Sequence, residues 1–428
     1  MRRVLFALGI ASTLLAPLSA QAQPGTYGQG HAIVLKAAHL FDAKTGRLAS
    51  PGQVWVNDGR IQPGVPPTDA EVVDLGDRTL LPGLIDCHVH LTDRAGLDEL
   101  AQLKRSKADR VLDGVVNARK VLEAGFTTVR DCGSDTDFGD VALRNAVARG
   151  DLEGPRVLVS GPALSITGGH GDANGFPTDI HFDAMNLTDS PQAAVRKVRE
   201  WRKRGVDQIK IMATGGVLSN NDDPGAPSFS PEEFKAIVDE AARRGTYVCA
   251  HAHGDAGIRA AVEAGVRSIE HGSLMSPETA RLMKQKGTFE VPTLYALESI
   301  LEPGNPLHVP AGSIEKARVL MPLRRAGFKA ALDAGVTIAY GTDIGVFDHA
   351  RAAADFPLLV SYGMTPAQAL QTATVNAAAL LRLDKEIGTL EPGKAADIVA
   401  VDGDPLANIN TMLAVPFVMK GGKVWKKP

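Results

Sequence analysis

Two histidines one residue apart close the run Leu81-Pro82-Gly83-Leu84-Ile85-Asp86-Cys87-His88-Val89-His90. A proline–glycine turn leads into an apolar stretch. If that stretch is a strand, its period of two puts Asp86, His88 and His90 on one side. Paired imidazoles at a strand's end can bind a divalent metal directly, although an isolated pair with this spacing also arises by chance. Strand-like runs farther along carry the same kind of chemistry. Lys210 lies within Gln208-Ile209-Lys210-Ile211-Met212, while His251, His271 and Asp343 each end a later run. On separate strands of one barrel, four imidazoles and a carboxylate converge on a single cavity. That set suits two divalent ions better than one, and both donor types are proper zinc ligands.

Lys210 has two readings. A charged, unpaired amine in an apolar strand is costly, so it either pairs with a buried acid such as Asp343 or snorkels out. Alternatively, carbon dioxide on the amine converts it to a carbamate that bridges two metals. His253, two beyond His251, points into the same cavity or fills a core or loop position. Gly168-Gly169-His170-Gly171 follows the third run, where glycines let a polarising or orienting imidazole approach a ligand. Tyr295 offers a hydroxyl just past the seventh run, for substrate or for loop packing. The stretch from Thr214-Gly215-Gly216 to Pro224-Gly225 has the composition of a flexible lid. It lacks the glycine–lysine and strand–turn–helix signatures of phosphate-binding loops, and no Gly-x-Ser-x-Gly elbow supports a serine hydrolase.

Positioning these residues takes a repeated unit. Apolar runs at 84–90, 127–131, 156–161, 208–213, 246–251, 268–271, 288–294 and 337–343 serve as strands. Most are preceded by amphipathic stretches, among them 108–124, 191–203, 231–243, 255–263, 277–286 and 314–333. Several of these end in glycine (Gly125, Gly205, Gly245, Gly265, Gly335), which closes a helix in the left-handed conformation. Eight strands alternating with helices predict an α/β fold, a (β/α)8 TIM barrel with chemistry at the strands' C-terminal ends; an open doubly wound sheet is the alternative. Short strands are predicted at 31–40, 53–56, 71–75 and 80–81, and later at 396–401 and in a hairpin over 417–425. Helices are predicted at 353–362 and 365–381. Neither β-rich end can bury a core alone, so the two ends are expected to form one composite β-sandwich. The resulting division is 1–22 signal peptide, 23–82 with 385–428 as sandwich, and 83–384 as barrel.

The chain has 428 residues, 44% hydrophobic and 22% charged, with a formal charge of -3 and no recurrent basic cluster. Nucleic acid and anionic membranes are therefore not its expected partners. Arg2 and Arg3 precede an apolar run and the small-x-small site Ala20-Gln21-Ala22, a cleavable signal for a secreted or periplasmic protein. Cys87, Cys132 and Cys249 are too few and too scattered for a disulfide framework and read as buried thiols.

The chain resembles the amidohydrolase superfamily, in its imidazolonepropionase-like, prolidase-like branch and close to the ochratoxin-degrading members. The likeness is carried by the 81–90 run, Ile269-Glu270-His271-Gly272, Gly341-Thr342-Asp343, Thr374-Val375-Asn376-Ala377-Ala378, and Gly388-Thr389-Leu390-Glu391-Pro392-Gly393-Lys394-Ala395-Ala396-Asp397. It implies a distorted barrel, a composite sandwich and two zinc ions. His88, His90 and Asp343 would hold the more buried ion, His251 and His271 the other, and carbamylated Lys210 would bridge them. Asp343 would act as base and then acid, with His170 or His253 facing the substrate. The implied reaction is hydrolysis of N-acyl amino acids or dipeptides, ochratoxin A among them. Val217, Leu218 and Phe347 suit a bulky aromatic group. Xaa-Pro dipeptides, esters and lactones are alternatives, as is a non-enzymatic periplasmic protein binding solute around a structural zinc. A homo-oligomer is common in the branch.

Overall fold

A computed structural model describes residues 32–96, 99–177, 179–182 and 184–428. The segment 1–22, read from the sequence as a signal peptide, lies outside them. Among the described residues, no helix is long and apolar enough to cross a membrane.

Parallel strands and helices alternate through the middle of the chain. Leu84–Val89, Phe126–Asp131 and Arg156–Leu158 form one parallel sheet; Ile209–Met212, Val248–Ala252, Ser268–His271 and Phe289–Val291 form a second. The third run is shorter than the sequence suggests, ending at Leu158. The eighth, 337–343, is no regular strand. It pairs at Glu290↔Ile338, and the adjoining Ile344 pairs with Val89. Backbone hydrogen bonds reinforce this contact, from Cys87 N–H to Tyr340 O and from Asp343 N–H to His88 O, both 2.8 Å. A left-handed φ of +64° at Asp343 explains the break, because such a residue cannot continue a pleated strand. Leu164 bridges Ile211, linking the end of the first sheet to the second.

The helices form where caps and periodicity agree. Ser106 and Asp109, Ser230 and Glu233, and Thr365 and Gln368 make reciprocal capping boxes, and Pro191, Pro231, Pro277 and Pro366 open their helices. Gly139–Arg149 and Leu294–Ile300 are among the helices without such a signal, beginning from the left-handed residues Phe138 and Thr293 without a side-chain cap. The predicted helix 365–381 is interrupted by a π-helical turn at Thr372–Asn376, and Thr372 O accepts from Tyr340 N–H.

Both chain ends build one mixed sheet. Ile398–Asp402 pairs antiparallel with Arg78–Pro82, the strand that leads directly into Leu84. Its six strands run from Lys423–Lys426 at one edge to Arg47–Ala49 at the other. A four-stranded sheet contains Ile33–Ala37 and Gly52–Asn57. One buried cluster draws on both sheets: Leu35, Val54 and Val56 from the smaller, Leu80, Ile398, Phe417 and Met419 from the larger. The three cysteines are buried free thiols.

Candidate active site

Six imidazoles from distant parts of the sequence meet at the C-terminal ends of the parallel strands. The His88 ring lies 5.3 Å from His90 and 5.1 Å from His271. His251 lies 4.6 Å from His271, 4.8 Å from His253 and 4.4 Å from His170. Asp343 Oδ1 is 3.4 Å from His88 Nε2 and 3.2 Å from His90 Nε2. Lys210 Nζ stands 3.3 Å from His88 Nε2. Strand register sets this gathering, since Met212 pairs with His251 and Ala252 with His271.

The other ring nitrogens are held by protein groups. His88 Nδ1 is 2.9 Å from Glu270 Oε2, and His90 Nδ1 donates to Gly133 O at 2.9 Å. His271 Nδ1 is 2.7 Å from Thr293 Oγ1. Such partners fix ring orientation and leave Nε2 for a metal. Glu270 is in turn held by the fully buried Arg130 at 2.8 Å. Asp86, beneath the site, accepts from His88 N–H at 3.0 Å and Thr342 Oγ1 at 2.6 Å.

Two backbone departures from strand geometry bring consecutive residues to the same place. His271 has φ +76°, so Glu270 and His271 both reach His88; Asp343, at φ +64°, reaches His88 and His90 while Thr342 binds Asp86. Non-glycine residues in this region cost roughly 1–3 kcal/mol each and concentrate at functional sites.

The electrostatics are those of a ligand cage. Burial pushes the Asp343 carboxyl up, but His88, His90 and Lys210 outweigh it and hold it at about 2. Burial lowers His90, yet its hydrogen bond to Asp343 and the surrounding carboxylates raise it to about 9. Burial depresses His170 to about 4 and His253 to about 3, chiefly by loss of water around the charged ring. A proton on His90 therefore occupies a place where a metal cation satisfies the same carboxylate.

A metal fits these residues. His88, His271 and Asp343 offer ligand atoms all within 4.8 Å of one another. Lys210, 1% exposed, has no ion-pair partner among the described residues, and its nearest hydrogen-bond contact is the imidazole of His88. An amine so placed does not follow the paired-acid reading.

The cavity in front of the cluster is about 680 Å³ and is lined by His88, His90, His170, Lys210, His251, His253, His271 and Asp343. Val217 and Leu218 line it from the loop after the fourth strand, whose base is closed by Thr214 pairing with Pro227. Tyr295 and Phe347 do not line it, which corrects the reading of both as substrate contacts. In the helix Leu294–Ile300, Ala296 and Leu297 face the cavity, leaving Tyr295 turned away. The Tyr295 hydroxyl donates to Glu302, its ring lies 4.6 Å from the Arg351 guanidinium, and Phe347 packs against it at 4.8 Å. Val346 lines the cavity, whereas the next residue, Phe347, is buried in the core. Arg130, Glu270 and Thr293 were not singled out from sequence. Glu270 lies within a motif but next to His271, where strict alternation places it on the opposite face.

Parallel strands that bring histidines, a lysine and an aspartate together at one end, beneath a half-open cavity, are the arrangement of a metal-dependent hydrolase. The chain belongs to the amidohydrolase family, whose model matches residues 79–425. Ochratoxinase of Aspergillus niger is 36% identical over 376 residues, covering 82% of this chain and 76% of that protein. The crystal structure of the A. niger ochratoxinase superposes with a TM-score of 0.81 at 31% identity, covering 94% of this chain and 97% of that one. A Xaa-Pro dipeptidase solved with methionine in its active site gives 0.88 at 34%, covering 92% of this chain and all of the other. Family membership sets aside the solute-binding alternative.

Proposed function

We propose that this protein is an exported dinuclear zinc hydrolase that cleaves N-acyl amino acids or dipeptides carrying a bulky hydrophobic or aromatic group, ochratoxin A among them. The observation that carries the reading is the convergence of His88, His90, Lys210, His251, His271 and Asp343 on one cavity. In this reading the two parallel sheets, with the irregular segment 337–344 between them, are a closed and distorted eight-stranded barrel over 83–384. Residues 23–82 and 385–428 are the accompanying sandwich.

His88, His90 and Asp343 would hold one ion and His251 and His271 the other. Lys210, as its carbamate, would supply an anion to both, which accounts for a buried amine without an acidic partner. Divalent ions in such a site supply acidified water and polarise the amide carbonyl. Asp343 takes the proton of the attacking water and delivers it to the leaving nitrogen, acting as base and then acid. Val217 and Leu218 shape the apolar part of the cavity. The ochratoxinase likeness favours an aromatic amino acid as leaving group, and the dipeptidase likeness makes Xaa-Pro dipeptides the second class to test; esters and lactones are open to the same attack.

The test is hydrolysis by the purified protein of a panel containing ochratoxin A, N-acyl-phenylalanines and Xaa-Pro dipeptides, before and after chelation. Turnover of the aromatic amides, lost with the metal and regained with zinc, is expected. Metal-independent turnover, or none on any member, contradicts the reading.

A further inference from the structure

The loop after the fourth strand does more than cover the cavity, because it is bound to His170 through a chain of polar side chains. Asp222 Oδ2 accepts from Gly216 N–H at 2.8 Å and from the Ser219 hydroxyl at 2.6 Å. Its other oxygen accepts from Lys316 Nζ at 2.7 Å. Lys316 comes from the long helix Ala311–Ala334 and also donates to Gly216 O at 3.0 Å and Ser219 O at 2.9 Å. This ammonium therefore ties the loop to an element outside it. Ser219 Oγ lies 2.7 Å from His170 Nδ1.

A serine hydroxyl has one proton to give, and a carboxylate can only accept. With that proton committed to Asp222, Ser219 must accept from His170, so Nδ1 of the imidazole carries the hydrogen. In the neutral ring Nε2 is then a bare lone pair, and it has no hydrogen-bond partner among the described residues. The ring is also held from above. A Cβ at Gly216 would come within 2.2 Å of His170 Nδ1 and Cε1, so only glycine lets the loop lie flat on the imidazole. The ring also packs against His251, with centroids 4.4 Å apart.

We propose that Ser219, Asp222 and Lys316 are positioning residues that fix the tautomer of His170, making its Nε2 a hydrogen-bond acceptor for an N–H at the scissile bond. The inference rests on the amide-hydrolase reading above and narrows it. Secondary amides, such as acyl-phenylalanines, offer that N–H. Xaa-Pro bonds and esters do not. His170 so arranged orients the leaving nitrogen; it does not donate to the developing oxyanion.

The tautomer is read without turnover, from two-bond nitrogen–proton correlations of the zinc-loaded full-length protein labelled with ¹⁵N-histidine, using His170→Gln to assign the signal. The expected pattern is a protonated Nδ1 and an unprotonated Nε2; a protonated Nε2 overturns the proposal. The second arm compares kcat/KM for an N-acyl-phenylalanine with that for the isosteric ester of phenyllactate. Losing one substrate hydrogen bond corresponds to roughly a tenfold change. The amide-to-ester ratio is expected to fall by about that factor in Ser219→Ala and in Gly216→Ala, and to recover in Ser219→Thr. Equal losses on both substrates overturn the acceptor role. A wild-type protein with the expected tautomer that cleaves neither compound refutes the substrate reading and the amide preference, but leaves the tautomer assignment standing.

Discussion

Asp343 and Glu270 show how little of a carboxylate's behaviour follows from burial alone. Glu270 is fully buried and Asp343 largely so, and both are held at about 2, Asp343 by imidazoles and a lysine, Glu270 by Arg130 and His88 against the upward push of burial. Replacing Asp343 with asparagine keeps the shape but removes the proton carrier. The expected outcome is a near-native melting temperature with kcat reduced on the order of 10²–10⁴-fold, checked by steady-state hydrolysis and thermal unfolding. Glu270→Gln is different, because it strands the Arg130 charge in the interior; a loss of about 3–5 kcal/mol in denaturant unfolding is expected. The sign for pH follows from the lowered value. Glu270 contributes stability above its ordinary 4.5, and that contribution is lost as pH falls from there toward about 2. Thermal unfolding of wild type should therefore weaken across that interval, and Glu270→Gln should show a shallower fall. The ligand-type residues were legible because they recur at the ends of apolar runs. Glu270 was not, since a period of two hides a residue whose neighbour takes φ +76°, and Arg130 was not, since it reaches the site only through Glu270.

Elements were readable where a local signal exists. The closing glycines Gly205, Gly265 and Gly335 do cap their helices in the left-handed conformation. The segment 337–344 was only partly legible, because its irregular pairing comes from contacts across the sheet and not from its own pattern. Gly341 lies where that segment crosses the first strand. A Cβ there would meet Val291 Cγ1 at 2.2 Å and His88 Cβ at 3.0 Å. Gly341→Ala is therefore expected to push 337–344 off the His88 strand, at a cost of about 1–3 kcal/mol by analogy with overpacked cores. Calorimetry should show that loss together with lower metal content, since Asp343 moves with the segment. A variant that keeps full stability and full metal content contradicts the close crossing.

At the scale of the molecule, the two chain ends are one structural unit although more than 300 residues separate Leu80 from Ile398. The pairing of Arg78–Pro82 with Ile398–Asp402 runs straight into the first strand of the site, so the terminal sheet also fixes where His88 stands. Deleting 396–428 removes the cover from Leu80 and Leu81, both fully buried. That truncation is expected to be insoluble on expression, with refolding and light scattering as the check, whereas an autonomous barrel would remain soluble. Sequence composition made this composite sheet readable, since neither end has enough apolar surface to stand alone. It could not reveal the loop-to-helix tie through Lys316, because nothing local links residues 222 and 316.

The central claim, that these scattered side chains hold a pair of ions around a modified lysine, is tested most directly by metal analysis of protein purified with zinc and bicarbonate. The account predicts about two zinc equivalents per wild-type chain and about one or fewer for Lys210→Met. A wild-type chain that retains none, or a Lys210→Met chain that still retains two, contradicts it.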